Sequence, residues 1–348
     1  MKRYLIIRFS SIGDIVLTTP VVRCLKAHCN NGDEVHFLTK PQFAGLFANN
    51  PYVDKVLTLK PKLTDTIKEI REGGYDCIID LHHNLRTFSI KRLAGVKSYS
   101  FNKINVRKWL LVHLKIDIMP DVHIVDRYLD TVKRLGVTSD HQGLDFFIPN
   151  ELDNYPETVL PEQFKQGYVC AVIGATHPTK QIPADKMVQI LNRAQRPVCL
   201  IGGKDVTENA ATIERGLTVP CHNGVGQFSI NQSAAIMRDS EVVITPDTGM
   251  MHIAAALHKR IVSLWGNTVP ELGMYPYMAD SSFKIFKVKG LKCRPCPKID
   301  FKKCPKGHFN GMNTQMLTKW LRPLRPTALS VCQCTTIWKK AMWREFAL

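Results

Sequence analysis

A chain of 348 residues with 47 Lys and Arg against 30 Asp and Glu, a net charge of +17 at pH 7, has room for two α/β domains of roughly 150 to 200 residues each, and its positive excess points to an anionic partner. No run approaches the roughly 18 to 20 continuous apolar residues of a membrane span, and Met1-Lys2-Arg3 leads into a short strand, not a signal peptide, so a cytoplasmic protein is expected. The eleven cysteines are scattered, several in strand-like runs (Cys77, Cys170, Cys199), which suits free thiols packed as small hydrophobes better than an oxidised framework.

The first half alternates strand-like and helix-like segments: Tyr4 to Phe9, a helix from Thr18 to His28, Glu34 to Leu38, a helix near Phe43 to Ala48, Lys55 to Thr58, a helix near Thr64 to Glu72, and Asp76 to Asp80. This is βαβ punctuation, and it predicts a parallel sheet whose ligand-facing loops lie at the carboxyl ends of the strands. The loop after the first strand reads Arg8-Phe9-Ser10-Ser11-Ile12-Gly13-Asp14. Gly13 permits a tight turn, and Asp14 at the sheet edge is a candidate general base or an N-cap. Neither the dinucleotide fingerprint nor the phosphate loop occurs in it, which argues against an ordinary NAD enzyme or P-loop NTPase. Basic residues interleave with Tyr99, Phe101 and Trp109 between Lys91 and Lys115, and a second basic stretch runs from Lys284 to Lys306.

Between Gly143 and Gly167 the pattern lapses into Pro149, Asn150, Asp153, Asn154, Pro156 and Pro161, an interdomain linker. Alternation restarts with Tyr168 to Ile173, helices near Ala184 to Ala194, Thr207 to Ile213 and Ser229 to Arg238, and strands at Pro197 to Ile201, Glu241 to Thr245 and Ile261 to Trp265. In Glu241 to Leu257 a buried strand runs through Pro246-Asp247-Thr248-Gly249 into an alanine-rich helix starting near Met250. The amides and dipole of such a helix start suit a phosphate or diphosphate, against the plainer reading of capping by Asp247 or Thr248. Expected domains are 1–155, 156–312 and an atypical basic tail, 313–348, that is poorly ordered. No recognition helix or aromatic RNA-binding signature accompanies the charge, so nucleic acid is not the expected partner.

The Arg8 to Asp14 loop, Tyr75-Asp76-Cys77-Ile78-Ile79-Asp80-Leu81-His82, Gly174-Ala175-Thr176 to Lys180-Gln181-Ile182-Pro183, Gly202-Gly203, and Asp247-Thr248-Gly249-Met250-Met251-His252 occur in the order seen in one family. Over roughly residues 1 to 312 the chain resembles glycosyltransferase family nine, the ADP-heptose:lipopolysaccharide heptosyltransferases. The resemblance implies a GT-B architecture, two Rossmann-like parallel-sheet domains facing a central cleft, the acceptor on the first and the nucleotide-sugar on the second. It implies inverting transfer of heptose from ADP-heptose to the lipopolysaccharide inner core, with no cofactor required; another nucleotide-sugar donor is the alternative. Asp14 falls where the family has its proposed base. Thr176, Lys180 and the Thr248 and Gly249 amides would meet the leaving diphosphate, Asp247 the sugar hydroxyls, and His252 would order that loop. Glu208, with Asp205 as competitor, would accept from the ribose, and Phe228 would lie against adenine. Arg8 and Arg86 are candidates for acceptor carboxylates or phosphates, with Ser10, Ser11, Gly13, Asp80 and His82 at the same sheet mouth. Together with the Lys91 to Lys115 stretch these suggest peripheral contact with the inner face of the cytoplasmic membrane.

Cys293-Arg-Pro-Cys296, Cys304 and His308 have the ligand types of a structural zinc site, although Gly311 stands where members resembling this chain often carry a fourth cysteine.

Overall fold

In the computed structural model, which describes residues 1–278, 282–297 and 301–315, the β-branched and aliphatic runs become two sheets. The first holds β1 (Arg3–Ile7), β2 (Glu34–Thr39), β3 (Lys55–Thr58), β4 (Cys77–Asp80) and β5 (Ser98–Ser100) in the order β3-β2-β1-β4-β5. The second holds β6 (Val169–Val172), β7 (Val198–Ile201), β8 (Cys221–Asn223), β9 (Val242–Pro246), β10 (Ile261–Trp265) and β11 (Lys284–Lys287) in the order β11-β10-β9-β6-β7-β8. Every pairing is parallel. The first half carries α1 (Ile12–Val16), α2 (Thr19–His28), α3 (Leu63–Glu72), α4 (Leu85–Ala94), α5 (Asn105–Trp109) and α6 (Ile124–Val132). The second carries α7 (Tyr155–Val159), α8 (Ala184–Ala194), α9 (Thr207–Gly216), α10 (Ile230–Asp239), α11 (Gly249–Ala256) and α12 (Asn310–Asn313).

Helices on both faces explain why β9 and β10 are buried throughout and read as unbroken apolar runs. One apolar cluster continues from Ile6, Ile15 and Val22 to Met251, Ala254 and Trp265, so the two sheets share a core layer. Each sheet also has an outer layer of its own, around Leu5, Ile7 and Ile70 in the first and Ala171, Ile190 and Ile244 in the second.

In each sheet the strand order reverses at one place, between β1 and β4 and between β6 and β9. Loops leaving paired strands in opposite directions open a crevice there, the usual ligand position in such sheets. The two crevices meet: Gly13 of α1 lies against Gly249 and His252 of α11. A second seam joins the halves where the Ile124 amide donates to the Gly273 carbonyl (2.8 Å), His123 Nε2 meets the Tyr275 carbonyl (2.9 Å), and the Tyr277 hydroxyl donates to Asp126 (2.7 Å).

Three departures from the sequence reading have local causes. The segment near Phe43 is a 3₁₀ turn, Pro41–Phe47. The strands β5, β8 and β11 were not anticipated; they are three or four residues long, at or next to sheet edges, with no fully buried position. The start of the expected disordered tail is packed, with Gln315 buried and its Nε2 donating to the Trp265 carbonyl at 2.9 Å; residues 316–348 lie outside the described residues.

Candidate functional site

On the first domain, Asp14 lies in the first turn of α1. One carboxylate oxygen faces Arg8 Nη2 at 2.7 Å, and the other accepts from the Ser11 hydroxyl (2.9 Å) and amide (3.2 Å). Burial works against its ionisation, but the Arg8 charge and the Ser11 donors outweigh it and hold the carboxyl below its ordinary range. Arg8 is thereby committed inside the domain, not to an incoming anion: Nη1 donates to the Leu81 carbonyl (2.6 Å) and meets the Tyr128 hydroxyl (3.0 Å), and Nε donates to the Ser10 carbonyl (2.8 Å). Asp80 is likewise internal. It is fully buried, pairs with Lys91 at 2.7 Å, and accepts from the His82 and His83 amides. The His82 ring packs on Phe9, and burial lowers its pKa to about 4, so it is neutral near pH 7. Arg86 stands exposed in the first turn of α4.

On the second domain, the N-terminus of α11 is open. Its N-cap, Thr248, makes no side-chain cap bond; the Thr248 hydroxyl is 3.3 Å from that of Thr245. Asp247 does not cap the helix either, because it accepts from Lys180 Nζ (2.6 Å) and the Thr268 hydroxyl (2.7 Å). The amides at the start of α11 therefore face a pocket of about 480 Å³ lined by Gly174, Ala175, Thr176, Gly202, Gly203, Phe228, Thr248, Gly249 and Met250, and by Ile12 from the first domain. Free amides at a helix start with a lysine on the neighbouring loop make an anion cradle. Phe228, which lines the pocket, stacks on His222 with an 8° interplanar angle.

Asp205 lines this pocket and Glu208 does not; Glu208 is exposed, one turn further along. His252 is buried, and desolvation lowers its pKa to about 4. Its ring fills the space beside Gly13, with Nδ1 lacking a hydrogen-bond partner among the described residues. Among the described residues no three side chains of ligand type are grouped to hold a metal; of the four cluster residues, Cys293 lies 3.9 Å from His308, and Cys296 is near enough to Cys293 and Cys304 for them to add to the rise of its pKa that burial begins. Two residues passed over in the sequence belong to the site's surroundings, Thr268 through Asp247 and Arg127 through a neighbouring pocket. Replacing Lys180 with methionine is expected to lower kcat/KM about 10²- to 10³-fold, as would be checked by steady-state kinetics with a Tm control.

With this geometry in view, the sequence profile of glycosyltransferase family 9 (heptosyltransferase) matches residues 63–301. Over 298 residues the chain is 21% identical to lipopolysaccharide heptosyltransferase 1 of Campylobacter coli, covering 76% of this chain and 83% of that relative. It superposes on the glycosyl transferase family 9 structure from Veillonella parvula with a TM-score of 0.67 at 22% identity, covering 82% of this chain and 85% of that one. On E. coli ADP-heptose lps heptosyltransferase II the TM-score is 0.64 at 19% identity, with 83% and 91% covered. The paired sheets are thus of the GT-B kind.

Proposed function

This chain belongs to glycosyltransferase family 9, and we propose that it transfers heptose from ADP-heptose to the inner core of lipopolysaccharide with inversion at the anomeric carbon. The observation that carries the reading is the contact of Gly13 with Gly249, which brings α1, bearing Asp14, against the open start of α11. An acceptor hydroxyl attacks the anomeric carbon from the Asp14 side while the bond to the diphosphate breaks on the other. Asp14 takes the hydroxyl proton as the new bond forms. Charge gathering on the departing ADP is met by the Thr248 and Gly249 amides and by Lys180, which turns from Asp247 towards the phosphate. Asp247, relieved of Lys180, accepts from sugar hydroxyls; Thr176 and Phe228 line the nucleotide side, and Asp205 takes the ribose role in preference to Glu208. Named likenesses support this donor and acceptor: the E. coli protein is an ADP-heptose lps heptosyltransferase and the Campylobacter one a lipopolysaccharide heptosyltransferase. Thermal shifts with ADP-heptose beside UDP- and GDP-sugars test the donor. Stabilisation by a non-ADP donor alone would transfer the reading to another nucleotide-sugar.

The pH profile carries its own expectation. Asp14 acts only when ionised, and its pKa is lowered, so activity should persist to below the ordinary carboxylate range and be lost as pH falls through that depressed value. Arg8→Gln removes the cation that favours the ionised form, and the acid limb of kcat/KM should move upward. An unmoved limb would detach Asp14 from it.

The proposed site of action is the cytoplasmic membrane's inner face. Among the described residues no helix is long and apolar enough to cross a membrane. Leu85, Phe88, Trp109, Leu114 and Ile116 are nonetheless about half exposed or more, beside Arg86, Arg92, Arg107 and Lys115, a pairing suited to an anionic lipid surface. Co-sedimentation with phosphatidylglycerol vesicles, reduced by Leu85→Ser with Trp109→Ser, is the expected result.

A further inference from the structure

A cavity of about 660 Å³ opens where the turn Leu110–Leu114, after α5, meets the loop that follows β11. That volume falls within the roughly 300–1,000 Å³ of small-ligand pockets, and none of its wall residues is shared with the nucleotide pocket. Leu111 from the first domain and Val269, Val288 and Leu291 from the second make the wall aliphatic, and among the described residues no aromatic ring stands in it against which a base could stack. Five cations, Lys115, Lys287, Lys289, Lys292 and Arg294, face two carboxylates, Asp117 and Glu271. Glu271 is taken by Lys287, and among the described residues neither Lys289 nor Lys292 has a carboxylate partner. Lys115 donates to two carbonyls, Val112 (2.7 Å) and Pro295 (2.6 Å), the second across the domain boundary. Arg294 donates to the Val288 and Thr268 carbonyls (2.9 and 2.6 Å), and its buried Nε has no hydrogen-bond partner among the described residues. An aliphatic hollow with unmatched positive charge at its rim suits a ligand with an acidic head and a hydrocarbon body. Leu114, Ile116 and Ile118, interleaved with Lys115 and Asp117, are each about half exposed, so apolar surface flanks the hollow on the face read above as meeting the membrane.

We propose that this cavity seats one anionic glycerophospholipid of the bilayer, its phosphate between Lys289 and Lys292 and the start of one acyl chain against Leu111, Val288 and Leu291. The seat rests on the membrane reading above and goes beyond it, from general attraction to a surface to a place for a single lipid. Lysines on a surface attract any anionic bilayer and release it as salt rises. A seated chain adds burial of hydrocarbon, which salt does not screen. Lys115 and Arg294 are already held by backbone carbonyls, so they contribute positive field without reorganising, and the free ammonium groups of Lys289 and Lys292 are left to bond the phosphate oxygens. Because the wall draws on both domains, a bound lipid touches both, and it ties them together at a place other than the glycine pair.

The test uses the full chain and lipids that are monomeric in water. Dihexanoylphosphatidylglycerol, below its micelle concentration, should bind in titration calorimetry, and the dibutanoyl form should bind less tightly, by about fourfold for each methylene that the hollow had buried. Glycerol phosphate, a head without chains, should be weaker still. Leu291→Trp fills the hollow and should remove the dependence on chain length. Lys289→Gln with Lys292→Gln should weaken binding about 10- to 100-fold, the worth of a charge-assisted hydrogen bond or two, and keep that dependence. ADP binding should be unchanged in both variants, which separates loss of the seat from loss of the fold. Absence of monomeric lipid binding, glycerol phosphate bound as tightly as the lipid, or affinities unaltered in both variants would overturn the seat. Lipid binding that the variants weaken, in a wild type that does not sediment with phosphatidylglycerol vesicles, would keep the seat and overturn the membrane reading; sedimentation with no monomeric lipid bound would do the reverse.

Discussion

Asp14→Asn should slow sugar transfer about 10²- to 10⁴-fold, the usual worth of a positioned general base, and leave ADP affinity nearly unchanged. The amide keeps the shape of the carboxylate and one oxygen to accept from Ser11, but it cannot take a proton from the acceptor hydroxyl. It also removes the anion opposite Arg8, which retains the Leu81 and Ser10 carbonyls. Some loss of stability is therefore expected, on the order of 1–3 kcal/mol, and a Tm measurement must accompany the kinetics. Asp14→Glu separates the two effects, since it keeps the charge beside Arg8 and displaces the base by one methylene. Both variants should bind ADP and fail in transfer. Turnover above about a tenth of wild type in Asp14→Asn would remove this carboxylate from the base role.

Gly249→Ala should be nearly as damaging, without touching a reacting group. A Cβ at that position would lie 2.8 Å from Ile12 Cβ and 2.9 Å from the Gly13 amide nitrogen, and neither a backbone amide nor a β-carbon can swing aside. The walls of the cleft must then part by several tenths of an ångström or more. A displacement on the order of 1 Å between base and donor can cost about 10²-fold in rate, and a loss of that size in kcat is expected. Gly13→Ala meets the His252 ring at 2.7 Å and the Gly249 Cα at 3.1 Å, so it should behave alike. Solution scattering should show a wider particle for either variant. A normal kcat in both would mean that the cleft does not work at this closure.

The central strands of both sheets were legible because burial on both faces demands continuous apolar runs, and β9 with its Pro-Asp-Thr-Gly exit is the clearest case. The polar edge strands β5 and β8 bury too little to leave a pattern. Within the site, Asp14, Lys180 and the α11 start could be picked out by residue type and place after a strand. The partners of Arg8 could not, because Leu81 and Tyr128 are 73 and 120 residues away and no local spacing says which way a guanidinium folds. Arg127 left a signal that was passed over. It stands three residues after Ile124 and four before Thr131, on the inward face of an amphipathic helix whose Ile124, Val125 and Tyr128 are buried, and a charge on such a face needs a partner from elsewhere.

Two of the contacts between the domains differ in kind. The glycine pair brings backbone against backbone at close range, whereas the seam at Ile124, His123 and Tyr277 is tied by three hydrogen bonds, one of them backbone to backbone. The side held by hydrogen bonds resists separation more than the side held by packing alone. An opening of the cleft is therefore expected to turn about the seam like a clasp, with the glycines parting first and the hydrogen-bonded side setting the register to which the walls return.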